Sequence, residues 1–340
     1  MNPITLAKAF RDGLVRGPRG VVRAQAALMT RRSLLVFTPQ TVLKLRIPDL
    51  IDGADQTLRS VRLAMTERER FVGRRLSPHA YLDDVGLRLG DDGELLLVHE
   101  ELDGEPIVAT WRQPLERRAD QLLAAGELTA ESFRKAMQAL ALFHETAPEP
   151  TLADRRDYPV RAADRWRSTL ERLAAEVDRL PDAEAAAVLS ADERARLGDE
   201  TAGWLADLDK ELSHRVLERR VRDGHGDLAL DHIFLVDPPV FIDPADDRAV
   251  SDQMIDTAED VMRLAMELDL AAGAELSDAV VAMYAAYAID PRLGQVAALY
   301  KRLAAVRVAA EVLADPTLDE RPERARAYVE LALGYALGGR

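Results

Sequence analysis

The sequence predicts an α+β fold with a small β-rich N-terminal lobe that carries one main helix, followed by a large, mostly α-helical C-terminal lobe. Two patterns favour this class: β-type runs separated by turn residues occur near the N-terminus, and apolar residues recur at helical spacing through most of the remainder. A third observation is that the 340 residues are 48% hydrophobic, which is ample for a large core. We place the domains at residues 1–102 and 103–340.

The N-terminal lobe begins with two predicted hairpins. Residues 34–47, LLVFTPQTVLKLRI, contain two β-rich runs separated by Thr-Pro-Gln, which indicates a strand, a turn and a second strand that carries Lys44. Residues 85–89 and 94–100 flank an Asp-Asp-Gly turn and predict another hairpin.

The main helix of this lobe is predicted between the two hairpins. Apolar residues recur at helical spacing from Gln56 to Leu76, and Pro78 stops the pattern. Glu67 and Glu69 both fall within this helix.

After Gly104 the chain is predicted to be helical almost to its end. A capping box, Ser190 with Glu193 three residues later, marks the start of one helix, and the apolar stripes on the helices are predicted to form core. The polar segment 146–160 is predicted to be a loop.

Composition excludes several function classes. The chain has no cysteine, so disulfides, thiolate metal sites and cysteine nucleophiles are absent. No run approaches the length of a membrane span and the N-terminus lacks a signal-peptide core, so we expect a cytoplasmic protein. The net charge of −14 argues against nucleic acid or an anionic membrane as partner, and it would suit a cationic substrate. We expect a small molecule and a nucleotide as partners; the oligomeric state is open.

One stretch is typical of catalysis: DGHGDLALDHIFLVDPPVFID, residues 223–243. Asp227 precedes two short β-type runs joined by Asp-Pro-Pro, and Asp243 follows them. Phosphoryl transfer needs a group that orients the attacking hydroxyl and a cation that neutralises phosphate charge. Asp227 and Asp243 match a base and a ligand for that cation.

HGDLALDH and FID resemble the catalytic loop and metal-binding segment of the aminoglycoside phosphotransferase-like family, within the protein-kinase-like superfamily. The likeness extends to VLKLRIPD, similar to the strand with the phosphate-binding lysine, and to ERERFVGRRLSPHAYL, similar to the helix with its glutamate partner. It spans about residues 30 to 310 and is strongest at 224–270. The resemblance implies a protein-kinase-like two-lobed fold.

The resemblance also implies a nucleotide site. Lys44 would contact the phosphates of ATP, with Glu69 as its ion-pair partner and Glu67 as the alternative. Leu97 to Leu102 would be the hinge that meets adenine, so that Glu100 and Leu102 are expected among the nucleotide-binding residues.

For the reaction, the resemblance implies that Asp227 accepts or orients the hydroxyl proton, that His225 braces the loop and that Asp243 binds Mg²⁺. The implied activity is an ATP-dependent kinase acting on a hydroxyl of a small molecule, an aminoglycoside-like compound or an amino alcohol. The alternative is a catalytically impaired, kinase-like nucleotide-binding protein or scaffold. Asp256 and Asp260 are expected to anchor the loop, or to face an amine-bearing substrate.

The chain departs from the family pattern at His232, which replaces the asparagine that would hold a second Mg²⁺. Imidazole suits softer metals than Mg²⁺, so three outcomes are open: one well-held metal, a nitrogen ligand that favours Mn²⁺, or lost catalysis with nucleotide binding retained. No glycine-rich loop precedes Lys44, and Thr38, Gln40 and Thr41 are the candidate phosphate donors instead.

Overall fold

The computed structural model describes residues 2–18, 20–51, 54–99, 104–246 and 254–337. The chain forms two compact units, each built from two segments. The first unit comprises Met1–Arg117 and Val240–Asp247, and the second comprises Arg118–Pro239 and Arg248–Arg340. The domain bounds of 1–102 and 103–340 remain a prediction.

The first unit is built on an eight-stranded sheet with the strand order β2-β1-β9-β8-β10-β5-β4-β3. The neighbouring strands are antiparallel except β1 and β9, which are parallel. The elements of Met1–Arg117 are α1 (Pro3–Asp12), β1 (Val15–Gly17), β2 (Gly20–Val22), β3 (Ala26–Met29), β4 (Ser33–Phe37), β5 (Thr41–Arg46), β6 (Leu50–Ile51), β7 (Ala54–Asp55), α2 (Arg59–Leu76), β8 (Val85–Leu89), β9 (Leu95–Val98) and β10 (Glu105–Trp111).

Alternation along β5 assigns its side chains to the two faces of this sheet. Leu43 and Leu45 are buried on the face that packs with Phe10 of α1. Lys44 therefore lies on the opposite face, beside its cross-strand neighbours Leu35 and Val108. Both predicted hairpins and the predicted helix, which ends at Leu76, are present.

The prediction that the chain becomes helical directly after Gly104 is wrong, because Glu105–Trp111 forms β10. This strand lies between β5 and β8, and four consecutive residues, Pro106 to Ala109, are buried. A strand buried on both faces does not show the alternation by which strands are detected in a sequence.

The second unit is mainly helical, with one short antiparallel pair, β11 and β14, whose register places Val221 opposite Asp256. Its elements, with β13 of the first unit given in chain order, are α3 (Ala119–Ala124), α4 (Arg134–Thr146), α5 (Leu152–Val177), α6 (Asp182–Val188), α7 (Ala191–Asp207), α8 (Asp209–Leu217), β11 (Val221–Asp223), β12 (Ile233–Phe234), β13 (Val240–Phe241), β14 (Met254–Asp256), α9 (Thr257–Ala271), α10 (Ala274–Ala288), α11 (Leu293–Ala314) and α12 (Arg321–Gly334).

Helix starts in this unit follow capping chemistry. The predicted capping box is present at α7, where Ser190 Oγ accepts from the backbone N–H of Glu193. A second box, Thr151 with Asp154, starts α5. The prediction of a loop at 146–160 is therefore wrong from Leu152 onward; Pro159 and the high polarity of the segment hid the helix. No helix among the described residues is long and apolar enough to cross a bilayer.

Candidate active site

Lys44 occupies a carboxylate-lined position in the first unit. Its Nζ lies 2.9 Å from Glu69 Oε2 and also contacts Asp243 Oδ1, and its side chain is 11% exposed. Strand β5 supplies the lysine, α2 supplies the glutamate, and the segment after β13 supplies Asp243. These three residues, far apart in the sequence, therefore meet within one unit.

The ion pair resolves the alternative between the two glutamates of α2. Glu69 is buried against the sheet, whereas Glu67 is exposed. Glu69 Oε2 also contacts Arg46, which in turn contacts Asp246. The result is a chain of alternating charges in which Lys44 and Arg46, two residues apart on one face of β5, each hold two carboxylates.

Asp243 has a left-handed backbone, with φ of +61°. Aspartate tolerates this conformation better than most residues because its short side chain can bond locally. Phe241, two residues earlier, is buried and its backbone N–H donates to Ser77 Oγ at 2.8 Å. The segment is thus fixed to the end of α2 before it reaches the aspartate.

The turn between β4 and β5 is internally bonded. Thr38 Oγ1 accepts from the backbone N–H groups of Gln40 and Thr41 at 3.3 and 2.8 Å, and it lies 2.8 Å from Thr41 Oγ1. The three residues predicted as phosphate donors are therefore engaged with one another, which leaves that assignment as a prediction without geometric support.

The catalytic-loop candidate in the second unit is anchored by a buried acid of α9. Asp260 accepts from the backbone N–H of His225 at 2.8 Å and of Gly226 at 2.7 Å. Gly226 has φ of +80°, which favours glycine, and the chain turns there to present Asp227. Asp260 is 1% exposed, so the expectation that it anchors the loop is confirmed.

Asp260 is itself oriented by His144 of α4. His144 Nε2 lies 3.0 Å from Asp260 Oδ2, and Nδ1 lies 2.7 Å from the hydroxyl of Tyr284. Burial raises the pKa of Asp260, but the hydrogen bond and charge of His144 and the charge of His225 together lower it by more. The pKa therefore lies below its ordinary value. The anchor is thus held as a carboxylate.

Asp256, the other predicted anchor, is the N-cap of α9 and is fully buried. Arg215 donates to both of its oxygens, and the Nη2–Oδ1 distance is 2.7 Å. Tyr300 donates to Oδ2 at 3.2 Å. Asp256 is therefore a structural anchor and does not face a substrate.

Two arginines that the sequence reasoning missed define the environment of Asp227. Arg307 of α11 donates to Asp227 Oδ1 at 2.9 Å and to Gly226 O at 2.7 Å, and Arg263 Nε of α9 lies 3.6 Å from the same Oδ1. Burial raises the pKa of Asp227, but Arg307, then Arg263, then His232 and His225 lower it well below its usual range. Asp227 is ionised at neutral pH.

His232 and His225 support the same loop. His232 Nδ1 lies 2.7 Å from the carbonyl oxygen of Asp227, which can only accept, so Nδ1 carries the proton. His225 Nδ1 accepts from the backbone N–H of Asp227 at 3.3 Å, and the two imidazole rings lie 6.1 Å apart. Both histidines therefore hold the backbone around Asp227.

The predicted metal ligands differ in how well they suit Mg²⁺. Asp243 offers a partly exposed carboxylate, the hard oxygen donor that Mg²⁺ prefers, whereas His232 offers only the Nε2 lone pair of an imidazole. Among the residues that the structure describes, no group of three or more His, Asp or Glu side chains has the arrangement of a metal site. Glu100 and Leu102, predicted to meet the nucleotide, lie outside the described residues.

Comparison with solved structures identifies the fold. The ethanolamine kinase of Plasmodium vivax is similar with a TM-score of 0.50 and 10% sequence identity, over 91% of this chain and 80% of that chain. A microcompartment-associated aminopropanol kinase gives a TM-score of 0.47 and 15% identity, over 90% of each chain. The likeness to the ethanolamine kinase shows that the chain shares the α+β fold of that protein, which confirms the fold class predicted from the sequence.

Comparison with curated sequences finds relatives whose function is not described. Uncharacterized proteins of Mycobacterium tuberculosis and Mycobacterium bovis are 25% identical over 259 residues, which is 75% of this chain and 48% of each relative. The chain therefore spans about half the length of the curated relatives that it matches. No protein-family model matches it.

Proposed function

We propose that this chain is an ATP-dependent phosphotransferase that transfers the γ-phosphate to a hydroxyl group of a small molecule. The observation that carries the proposal is the contact of Lys44 with both Glu69 and Asp243. Lys44 and Asp243 are 199 positions apart in the sequence. Kinases need a lysine held for phosphate and an acid held for metal. Its structural neighbours include kinases named for ethanolamine and aminopropanol, which supports hydroxyl compounds as acceptors.

In this proposal Lys44 binds nucleotide phosphates, and Glu69 holds the ammonium group in position. Asp243 would hold Mg²⁺, and the charge of the bound ion would neutralise the charge of the phosphates. Lys44 then exchanges its contact with Asp243 for the phosphate oxygens. The segment 112–117, which follows β10, is a second candidate beside residues 97–102 for the backbone that meets adenine, because β10 is the last strand before the chain leaves the first unit.

Asp227 is proposed to orient the acceptor hydroxyl and take up its proton. Both arginine contacts fall on Oδ1, so we assign the hydroxyl to Oδ2. The lowered pKa of Asp227 makes it a weak base, and positioning of the hydroxyl therefore contributes more than proton abstraction. Arg307, which also bonds Gly226 O, keeps the carboxylate from rotating.

The proposal is tested by ATP binding and ADP formation with the purified 340-residue chain, in Mg²⁺ and in Mn²⁺, against a panel of hydroxyl compounds. Asp227→Asn is expected to retain ATP binding and to lose about 10²- to 10⁴-fold in turnover. Lys44→Met is expected to weaken ATP binding, while Lys210→Met, at an exposed position on α8, leaves it unchanged. ATP binding that is equally strong in Lys44→Met would contradict the nucleotide site.

A second candidate is a nucleotide-binding protein without turnover. Two observations favour it: the pairing of Asp227 with arginines and the presence of His232 where the family carries asparagine. It predicts a thermal shift with ATP that survives Asp227→Asn and no ADP formation with any acceptor. Appearance of turnover in His232→Asn would instead identify a metal-selective enzyme.

A further inference from the structure

A cavity of about 480 Å³ lies in the second unit beside the catalytic-loop candidate, and Gly226 forms part of its wall. Helix α5 contributes Arg161, Arg165 and Arg172, whose spacing of four and seven residues places them on one face. Helices α9 and α11 contribute Arg263 and Arg307. Three helices thus present five guanidinium groups to one small space.

The charge of this wall is opposite to that of the whole chain. Its described lining holds five arginines against two carboxylates, Asp164 and Glu259, a formal charge of +3, whereas the chain carries −14. Asp164 is exposed and pairs with Arg167, and Glu259 accepts from Arg165 at 2.6 Å. Guanidinium groups present paired N–H donors that match the oxygens of carboxylates and phosphates.

Acid partners hold two of these arginines from outside the lining. Arg161 pairs with Asp154 at 3.1 Å and Arg263 with Glu267 at 2.5 Å, both acids outside the lining. A guanidinium group has five N–H donors, so it can hold a carboxylate partner and an oxyanion together. Ser168 and Thr169, between Arg165 and Arg172, donate to helix carbonyls and present hydroxyl oxygens at the same wall.

Two of the arginines connect this cavity to Asp227. Arg263 and Arg307 line the cavity and also approach Asp227 Oδ1, at 3.6 and 2.9 Å. An anion held by the α5 arginines would therefore place the rest of a small ligand near the carboxylate assigned to the acceptor hydroxyl. The volume lies within the range of small-molecule binding sites.

We propose that the acceptor is a small hydroxylated acid, with a phosphate or carboxylate bound by the arginine cavity. This inference rests on the proposed function and specifies its substrate class. It departs from the amino-alcohol or aminoglycoside class implied by the family resemblance, because an ammonium group would meet the guanidinium groups that line this cavity.

The test compares four probes on the 340-residue chain by calorimetry, without nucleotide and in phosphate-free buffer of constant ionic strength. Glycerol 3-phosphate and glycerate share a hydroxylated three-carbon skeleton with neutral glycerol and differ by their anionic group, and ethanolamine is the cationic probe. We expect either anion, or both, to bind at least about tenfold more tightly than glycerol and ethanolamine. The stronger of the two identifies phosphate or carboxylate as the bound group.

Variants of α5 locate the binding. Arg172→Gln and Arg161→Gln are each expected to weaken anion binding about tenfold, and Arg172→Lys to weaken it less. Arg156→Gln is the matched control, because Arg156 lies on the same helix, is exposed, and pairs only locally with Asp157 among the described contacts. Circular dichroism and thermal unfolding of each variant check that the fold is retained.

Preferred binding of ethanolamine, binding of none of the four probes, or equal anion affinity in the α5 variants and in Arg156→Gln would overturn the inference. Failure of the proposed function has a different signature. The proposed function fails if the chain neither binds ATP nor forms ADP, while it still binds the anion with an affinity that depends on Arg161 and Arg172. The two proposals are therefore separable on one preparation.

Discussion

At the scale of single residues, both candidate sites are dominated by charges that are held in place by other charges. Lys44 and Arg46 share Glu69, and Asp227 is held by Arg307 and Arg263. Attraction between opposite charges offsets their desolvation only while the pairing is complete. Removing one member therefore leaves a buried charge without its partner, which makes these residues sensitive probes of the geometry.

Glu69→Gln tests the first of these networks. Glu69 is 2% exposed and contacts two cations, so its loss is expected to lower the free energy of unfolding by about 3–5 kcal/mol. Glu67→Gln, two residues away on the exposed face of α2, should change it by less than about 0.5 kcal/mol. Urea unfolding measures both, and equal effects of the two variants would refute the assignment of Glu69.

Arg307→Met tests the second network through pH. The pKa of Asp227 is lower in the folded chain than its unfolded value of about 3.9, so its ionisation stabilises the fold above that pH. The stabilisation is lost as the pH falls through the folded-state pKa. Without Arg307 the folded pKa rises, and the decline in unfolding free energy from about pH 5 to about pH 3 is expected to be shallower than in the wild type. Arg307→Lys keeps the charge and should keep most of the steeper decline.

At the scale of secondary-structure elements, the position of α2 on the sheet depends on a close approach at Gly73. A Cβ atom at Gly73 would lie 2.1 Å from Cζ of Tyr81, and the Tyr81 side chain is buried. The glycine thus lets the ring of Tyr81 pack directly against the helix backbone, in the helix that also carries Glu69.

Gly73→Ala is therefore expected to destabilise the protein by about 1–3 kcal/mol, since either the ring or the helix must move. The matched control is Gly203→Ala, within α7, where a Cβ would meet nothing within 4 Å. Alanine there should stabilise by up to about 1 kcal/mol because glycine is a poor helix residue. Thermal unfolding distinguishes the two, and stabilisation by both would mean that Tyr81 repacks without strain.

At the scale of the whole molecule, local sequence patterns predicted several of the elements but not the partners that these elements meet. The spacing around Lys44 and the HGD triplet predicted a strand and a loop, because these depend on neighbouring residues. Strand β10 was missed because its residues are buried on both faces. Arg263 and Arg307 were missed because a helical arginine shows no sequence signal of the carboxylate it will meet. Glu69 was separable from Glu67 only by the rotation of α2 against the sheet.

The division of the first unit between two chain segments has a further consequence. Asp246 of the second segment contacts Arg46, whose side chain is 3% exposed, so a fragment that ends at Arg117 would keep a buried guanidinium with Glu69 as its one carboxylate partner among the described contacts. It would also expose the surface covered by Phe241.

We therefore compare this fragment with the same fragment joined to residues 240–247 by a flexible linker. The fragment alone is expected to unfold at a lower temperature, and its free energy of unfolding is expected to be lower by about 3–5 kcal/mol. Asp246→Asn in the linked fragment should remove a large part of the gain. Equal stability of the two fragments in thermal unfolding would show that the N-terminal segment folds without the acids that follow β13.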